Sequence, residues 1–284
     1  MLGTHLLGIY EKALHKSDIR TKLEKAKELG FDFLEMSIDE SDEKLERLYY
    51  TQEQRDEIKQ AIADTGIPIK TICLSGHRRY PMGSADPKVL EKSKEIMERC
   101  VYFAEEIGTS IIMLAGYDVY YEPSSPETIA RFLESLKWAA KLAGDHQIML
   151  GVEVMDTELI NTITKYLEWE KKIDSPWFRV YPDMGNINAW GIDVPSEIRV
   201  GARHCVGMHV KDTRNIEIGK PGVFRDIPFG EGTTDFVGCF KAMEEYGFSG
   251  VCVMEMWDTG NNDMEEIAKA KKFVEEKFRL ATVS

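Results

Sequence analysis

Eight short runs of consecutive apolar, β-branched and aromatic residues recur along the chain, at 4–10, 31–37, 67–75, 109–116, 148–155, 178–185, 205–211 and 250–257. Their near-continuous apolarity predicts strands buried on both faces, the pattern of a parallel sheet covered by helices. Between the runs the period lengthens. From Val89 to Ile107, the residues Val89, Leu90, Ser93, Ile96, Met97, Cys100, Val101, Ala104 and Ile107 fall on one side of a helix whose other side is Lys and Glu. Gly30, Gly66, Gly108, Gly144 and Gly247 each follow a helical stretch and precede a strand, where a left-handed cap is wanted. Ser125 followed by Pro126 predicts a helix start.

Eight strand-helix pairs within 284 residues predict an α/β fold, a closed (β/α)8 barrel over residues 1–284 as a single domain. An open doubly wound sheet typically has fewer strands and a glycine-rich nucleotide turn, and the chain contains neither G-x-G-x-x-G nor G-x-x-x-x-G-K-[ST]. Two smaller α/β domains are the alternative, but no linker or low-complexity segment divides the sequence. With 43% hydrophobic and 30% charged residues, collagen-like and wholly disordered chains are excluded. No run approaches the roughly 18 apolar residues of a membrane helix, so no membrane association is expected.

The formal charge of −13 makes the average surface repel phosphate backbones, and a nucleic-acid partner is not expected. An anionic small substrate would need cations gathered locally. The cysteines, Cys73, Cys100, Cys205, Cys239 and Cys252, are odd in number and form no C-x-x-C, which suits free thiols in a reducing compartment. The first residues show no export signal, and a cytoplasmic protein is expected.

In a barrel of this kind chemistry sits at the C-terminal ends of the strands. The fifth predicted strand ends at Glu153, the sixth at Asp183, the seventh at His209 and the eighth at Glu255. Taken singly, a Glu near a strand end is ordinarily solvated or ion-paired, and a lone His is ordinarily a core or loop residue. Together, on four successive strands, they point to one divalent metal ion. Three carboxylates in one partly desolvated mouth would raise one another's pKa and oppose folding unless a cation neutralised them. Oxygen-rich ligation with one nitrogen suits Mn, Mg or Co, and Zn fits as well. His5, His15, His146 and His204 lack such convergence. Basic residues also gather near strand ends: Ser75, His77, Arg78 and Arg79 after the third strand, Lys211 on the same strand face as His209, and Arg225 in the turn-rich loop after the seventh strand.

The stretches CLSGHRRYPMGS (73–84), AGYDVYY (115–121), YPDMGNINAWG (181–191), GMHVKDT (207–213), PGVFRDIPFGEG (221–232) and EMW (255–257) resemble xylose-isomerase-like TIM barrels. Within these, the resemblance is to the L-ribulose-5-phosphate 3-epimerase family, also described as L-xylulose-5-phosphate 3-epimerases, and it runs from about residue 4 to about residue 280. It implies that Glu153, Asp183, His209 and Glu255 are metal ligands and that Glu153 and Glu255 exchange protons with the substrate. The implied reaction inverts C3 of a phosphorylated ketopentose through a cis-enediolate, in a homodimer, within L-ascorbate utilisation. Ser75, His77, Arg78, Arg79, Lys211, Arg225 and Trp257 are then expected to contact substrate. Tyr10, Trp190 and Phe229, with Trp257, are candidate apolar walls. Arg225 departs from the family's lysine, keeping charge but not geometry. The alternatives are a keto-aldose isomerase of the hexulose-6-phosphate type, a metal-dependent endonuclease of the same fold, and a non-catalytic sugar-binding barrel.

Overall fold

The computed structural model describes residues 1–260 and 263–283. Its eight strands are β1 (Leu7–Tyr10), β2 (Phe33–Ile38), β3 (Ile69–Leu74), β4 (Ile111–Ala115), β5 (Met149–Glu153), β6 (Phe178–Tyr181), β7 (Gly207–Val210) and β8 (Val251–Met254). The helices are α1 (Ile19–Glu28), α2 (Asp42–Leu45), α3 (Gln52–Thr65), α4 (Pro87–Ile107), α5 (Pro126–Asp145), α6 (Ile163–Ile173), α7 (Met184–Ala189), α8 (Val194–Gly201), α9 (Phe236–Tyr246) and α10 (Asp263–Thr282). Every strand lies on one of the eight apolar runs.

The strands form one parallel sheet in the order β6-β5-β4-β3-β2-β1-β8-β7. The ring closes between β6 and β7 through isolated parallel bridges, Val180 to Cys205 and Asp183 to His209, where the His209 amide donates to the Pro182 carbonyl at 2.9 Å. This seam is the lightest-paired part of the barrel, and it carries two of the four expected metal ligands.

Strand alternation sorts the side chains. Ile9, Leu34, Met36, Ile72, Leu74, Ile112, Leu114, Leu150, Val152, Val180, Met208 and Met254 face the helices and join the main apolar core. Tyr10, Phe33, Cys73, Ile111, Met113, Tyr181, Val251 and Val253 fill the barrel interior. The interior accepts the Tyr181 and Phe33 rings because glycines face them. A Cβ at Gly207 would stand 2.3 Å from Tyr181 Cε2, and one at Gly8 would stand 2.4 Å from Phe33 Cε2.

The helix signals hold in part. Ser125 caps α5 in a capping box with Thr128, and Pro126 occupies its first turn. Gly66, Gly108 and Gly247 are left-handed caps with φ of 73°, 78° and 77°. Gly144 is not a cap. It lies inside α5, packed where a Cβ would meet Trp177 at 2.5 Å, and the left-handed residue is Gln147.

His77 also departs from its expected place. It lies in the middle of the short 3-10 turn Gly76–Arg78 after β3 with its ring folded onto α4, where Nε2 is 3.0 Å from the Ser93 carbonyl and Nδ1 has no partner. Burial holds the imidazole neutral, lowering its pKa from 6.5 to about 4. The unfolded chain therefore binds a proton between these values that the folded chain does not, so the stability tied to His77 is full above 6.5 and is lost as pH falls towards 4. Relative to a His77→Gln variant, the wild-type protein should lose about 3 kcal/mol over that interval. Denaturant unfolding of both proteins from pH 7 to pH 4 checks this; parallel stability curves would contradict it.

Candidate metal centre

The inward-facing end of each rim strand sets one side chain of the site. Glu153 ends β5 and His209 lies within β7, whereas Glu255 stands one residue beyond β8. Asp183 does not extend β6 as its sequence suggested. Pro182 supplies no amide to a ladder, the strand stops at Tyr181, and Asp183 becomes the N-cap of α7, accepting from the Asn186 amide through Oδ1 at 2.9 Å. That cap fixes the carboxylate and leaves Oδ2 free to face the barrel axis.

The four side chains are buried, and each offers a ligand atom within 4.8 Å of all the others. Among the described residues this is the one such grouping of three or more His, Cys, Asp or Glu. His209 Nδ1 lies 3.2 Å from Glu153 Oε1, 3.8 Å from Glu255 Oε2 and 3.9 Å from Asp183 Oδ2. Lys211 Nζ lies 2.6 Å from Asp183 Oδ2 and 2.8 Å from Glu255 Oε2. Apart from this ammonium, both of those oxygens are buried without a hydrogen-bond partner. Buried carboxylate oxygens left so, beside an imidazole nitrogen, fit the demands of a divalent cation. A set of three carboxylates and one imidazole suits Mn, Mg, Co or Zn.

Electrostatics agree with this geometry. Burial, helped by Glu255, pushes the Asp183 carboxyl up to about 7 against the pull of Lys211. Burial also raises Glu153. For Glu255 the same burial is outweighed by Lys211 and His209, which hold it down at about 2. Desolvation disfavours the His209 imidazolium, yet Glu35 and Glu255 move its pKa well above the ordinary value. The buried cluster, with Glu35 behind it, thus holds more carboxyls than Lys211 and His209 balance.

Glu35 escaped the sequence reading. It faces the barrel interior from the middle of β2, and its Oε1 meets His209 Nε2 at 2.7 Å while Oε2 accepts from Thr71 at 2.8 Å and Tyr181 at 3.1 Å. A carboxylate on the far ring nitrogen fixes the tautomer and aims Nδ1 at the cluster. The signal was present as one acid within an apolar strand, on the same alternation as Phe33. Asn186, also missed, accepts from Lys211 at 3.0 Å and donates to the Val154 carbonyl at 3.0 Å.

Above the ligands a cavity is lined by Tyr10, Lys12, Cys73, Ser75, Arg78, Met155, Asp156, Asn186, Lys211, Arg225 and Trp257, together with Glu153 and Glu255. Of the expected substrate contacts, Ser75, Arg78, Lys211, Arg225 and Trp257 are therefore brought together. His77 and Arg79 do not line it: His77 packs on α4, and Arg79 pairs outward with Asp42 at 2.7 Å. Trp190 donates to the Met155 carbonyl, and Phe229 packs on Phe236 and Phe273, so of the four candidate walls only Tyr10 and Trp257 reach this cavity. The other histidines pair elsewhere: His5 with Glu244, His15 with Asp258, His146 with Glu105 and His204 with Glu170. One histidine in the cluster disfavours a multi-metal nuclease.

Eight parallel strands with a carboxylate and imidazole cluster at their C-terminal rim define a (β/α)8 barrel whose mouth could hold a metal ion. The family model for the xylose isomerase-like TIM barrel matches residues 23–277, and the chain belongs to that family. It is similar to the L-ribulose-5-phosphate 3-epimerase UlaE of Salmonella heidelberg (strain SL476), 46% identical over 278 residues that cover 97% of this chain and 95% of the relative. It is equally similar to the UlaE of Escherichia coli O157:H7, 46% identical over 277 residues with the same coverage. Solved structures with the same fold include an L-ribulose 3-epimerase, with a TM-score of 0.79, 18% identity and coverage of 98% and 96%. A D-psicose 3-epimerase with D-tagatose from Clostridium cellulolyticum H10 gives a TM-score of 0.74, 21% identity and coverage of 97% and 96%.

Glu35→Gln should weaken divalent-cation affinity by about 10–100-fold while the protein stays folded, because His209 loses the group that orients it. Calorimetric titration with Mn2+ reads this directly, and an unchanged affinity would remove Glu35 from the site.

Proposed function

We propose that this chain is a metal-dependent epimerase that inverts C3 of a ketopentose 5-phosphate, interconverting L-xylulose 5-phosphate and L-ribulose 5-phosphate. The observation that carries the reading is the placement of two glutamates on strands from different parts of the barrel. Glu153, from β5, and Glu255, after β8, both border His209 Nδ1 and both line the cavity. The activity named for relatives 46% identical over nearly the whole chain supports the same reading.

Glu153, Asp183, His209 and Glu255 would hold the cation, whose bound charge stabilises the oxyanion that forms as C3 is deprotonated. The protein's own work is proton transfer and exclusion of water. One glutamate takes the C3 proton from one face of the substrate, and the other delivers a proton to the opposite face, inverting the centre. Tyr10 and Trp257 wall the reacting carbons, limiting the water that would divert an enediolate.

Phosphate recognition falls to the cations at the mouth. The Arg78 guanidinium lies 4.6 Å over the Tyr120 ring, with Nε buried and unpartnered. Arg225 lies 5.8 Å over Trp257 and 3.7 Å from Asp156. With Ser75 and Lys211 they supply the local positive charge and donors that an anionic sugar requires in a protein of charge −13. Five buried free thiols support a reducing, cytoplasmic setting. The homodimer and a role in L-ascorbate utilisation rest on the family resemblance.

Incubating the Mn2+-loaded protein with either pentulose phosphate in heavy water should place deuterium at C3 as the two sugars interconvert. Glu153→Gln and Glu255→Gln should each lower that exchange by about 10²-fold or more. Label at C1 or C2, or full exchange in both variants, would overturn the assignment in favour of a keto-aldose isomerase or of other proton carriers.

A further inference from the structure

Among the described residues, Lys211 is the one lysine or arginine buried among the expected ligands, and its position suits a role beyond contacting substrate. It projects inward beyond the end of β7, two residues after His209, and is 5% exposed. Its ammonium is fixed by the Asn186 side-chain oxygen at 3.0 Å and stands 2.6 Å and 2.8 Å from Asp183 Oδ2 and Glu255 Oε2. Asn186 is itself pinned at both ends, by the Asp183 cap and by the Val154 carbonyl. The ammonium therefore lies against the same oxygens that would ligate a cation. It neutralises their charge at hydrogen-bond distance, and so occupies the position from which a dication would draw on the same two oxygens.

We infer that Lys211 is a tethered counter-cation that holds Asp183 and Glu255 in register and competes with the divalent ion for their charge. The inference rests on the metal-dependent reading of the cluster and deepens it. A point charge on a flexible stem suits this role, since it can retreat towards the Trp257 ring, 5.6 Å away, when a dication takes the oxygens. Such a device keeps crowded carboxylates from repelling one another, at the cost of weaker metal affinity.

The test uses wild-type protein stripped with chelator, alongside Lys211→Met and Lys211→Gln, titrated with Mn2+ alone by calorimetry and followed by thermal unfolding. Loss of the competing charge should tighten Mn2+ binding by about tenfold or more in both neutral variants. It should also lower the Tm of the stripped variants and enlarge the Tm gain on adding Mn2+. A residue that merely supported the fold would weaken binding when removed, so equal or weaker affinity in both folded variants overturns the role of Lys211 alone. A wild-type protein that takes up no Mn2+ overturns the metal reading beneath it.

Discussion

The organisation of the barrel mouth follows from one electrostatic constraint: three carboxylates and an imidazole are held within 4.8 Å of one another and away from water. Buried like charges cannot all stay ionised without a nearby cation. The protein answers with Lys211 among the acids, with Glu35 behind His209, and with pKa values driven in opposite directions on neighbouring carboxyls. A divalent ion would resolve the remaining excess of acid, and in the proposed function the same charge would serve the enolisation of a ketose. Structural demand and chemical use thus meet at one place.

The rest of the fold can be read as support for that place. Gly207 and Gly151 clear the interior for the Tyr181 ring, whose hydroxyl donates to Glu35, which orients His209. The chain from a missing Cβ to a candidate metal ligand is therefore only a few contacts long. Asp212, just past Lys211, accepts amides from Gly230 at 2.9 Å and Gly232 at 3.0 Å, tying down the end of the loop that carries Arg225 to the cavity. At the light seam between β6 and β7, Asp183 keeps only its single bridge to His209 while capping α7, so the candidate ligand is placed by ending a strand rather than by extending it.

Much of this was legible in the sequence because the relevant signals are periodic. Continuous apolar runs located all eight strands, and counting to their ends found Glu153, His209 and Glu255 to within a residue or two. Asp183 was found with the wrong local structure, since a run of apolar letters through Pro182 does not reveal that β6 stops before the proline and that Asp183 caps α7. Glu35 was overlooked because an acid inside a strand looks like an interruption until alternation assigns it inward. His77 and Arg79 were drawn in by proximity to Ser75 and Arg78, but a turn of 3-10 helix after β3 rotates the first into the core and the second outward. Side-chain direction after a strand depends on loop geometry, which no short-range pattern encodes.

The central claim is that a single divalent ion is clasped by side chains from four neighbouring strand ends. Crystals grown with Mn2+ and measured at a wavelength where manganese scatters anomalously address it directly. The account predicts one strong anomalous peak per chain, at about 2.0–2.3 Å from Glu153, Asp183, His209 and Glu255. A peak elsewhere, or none at that position with the ion in excess, would contradict it.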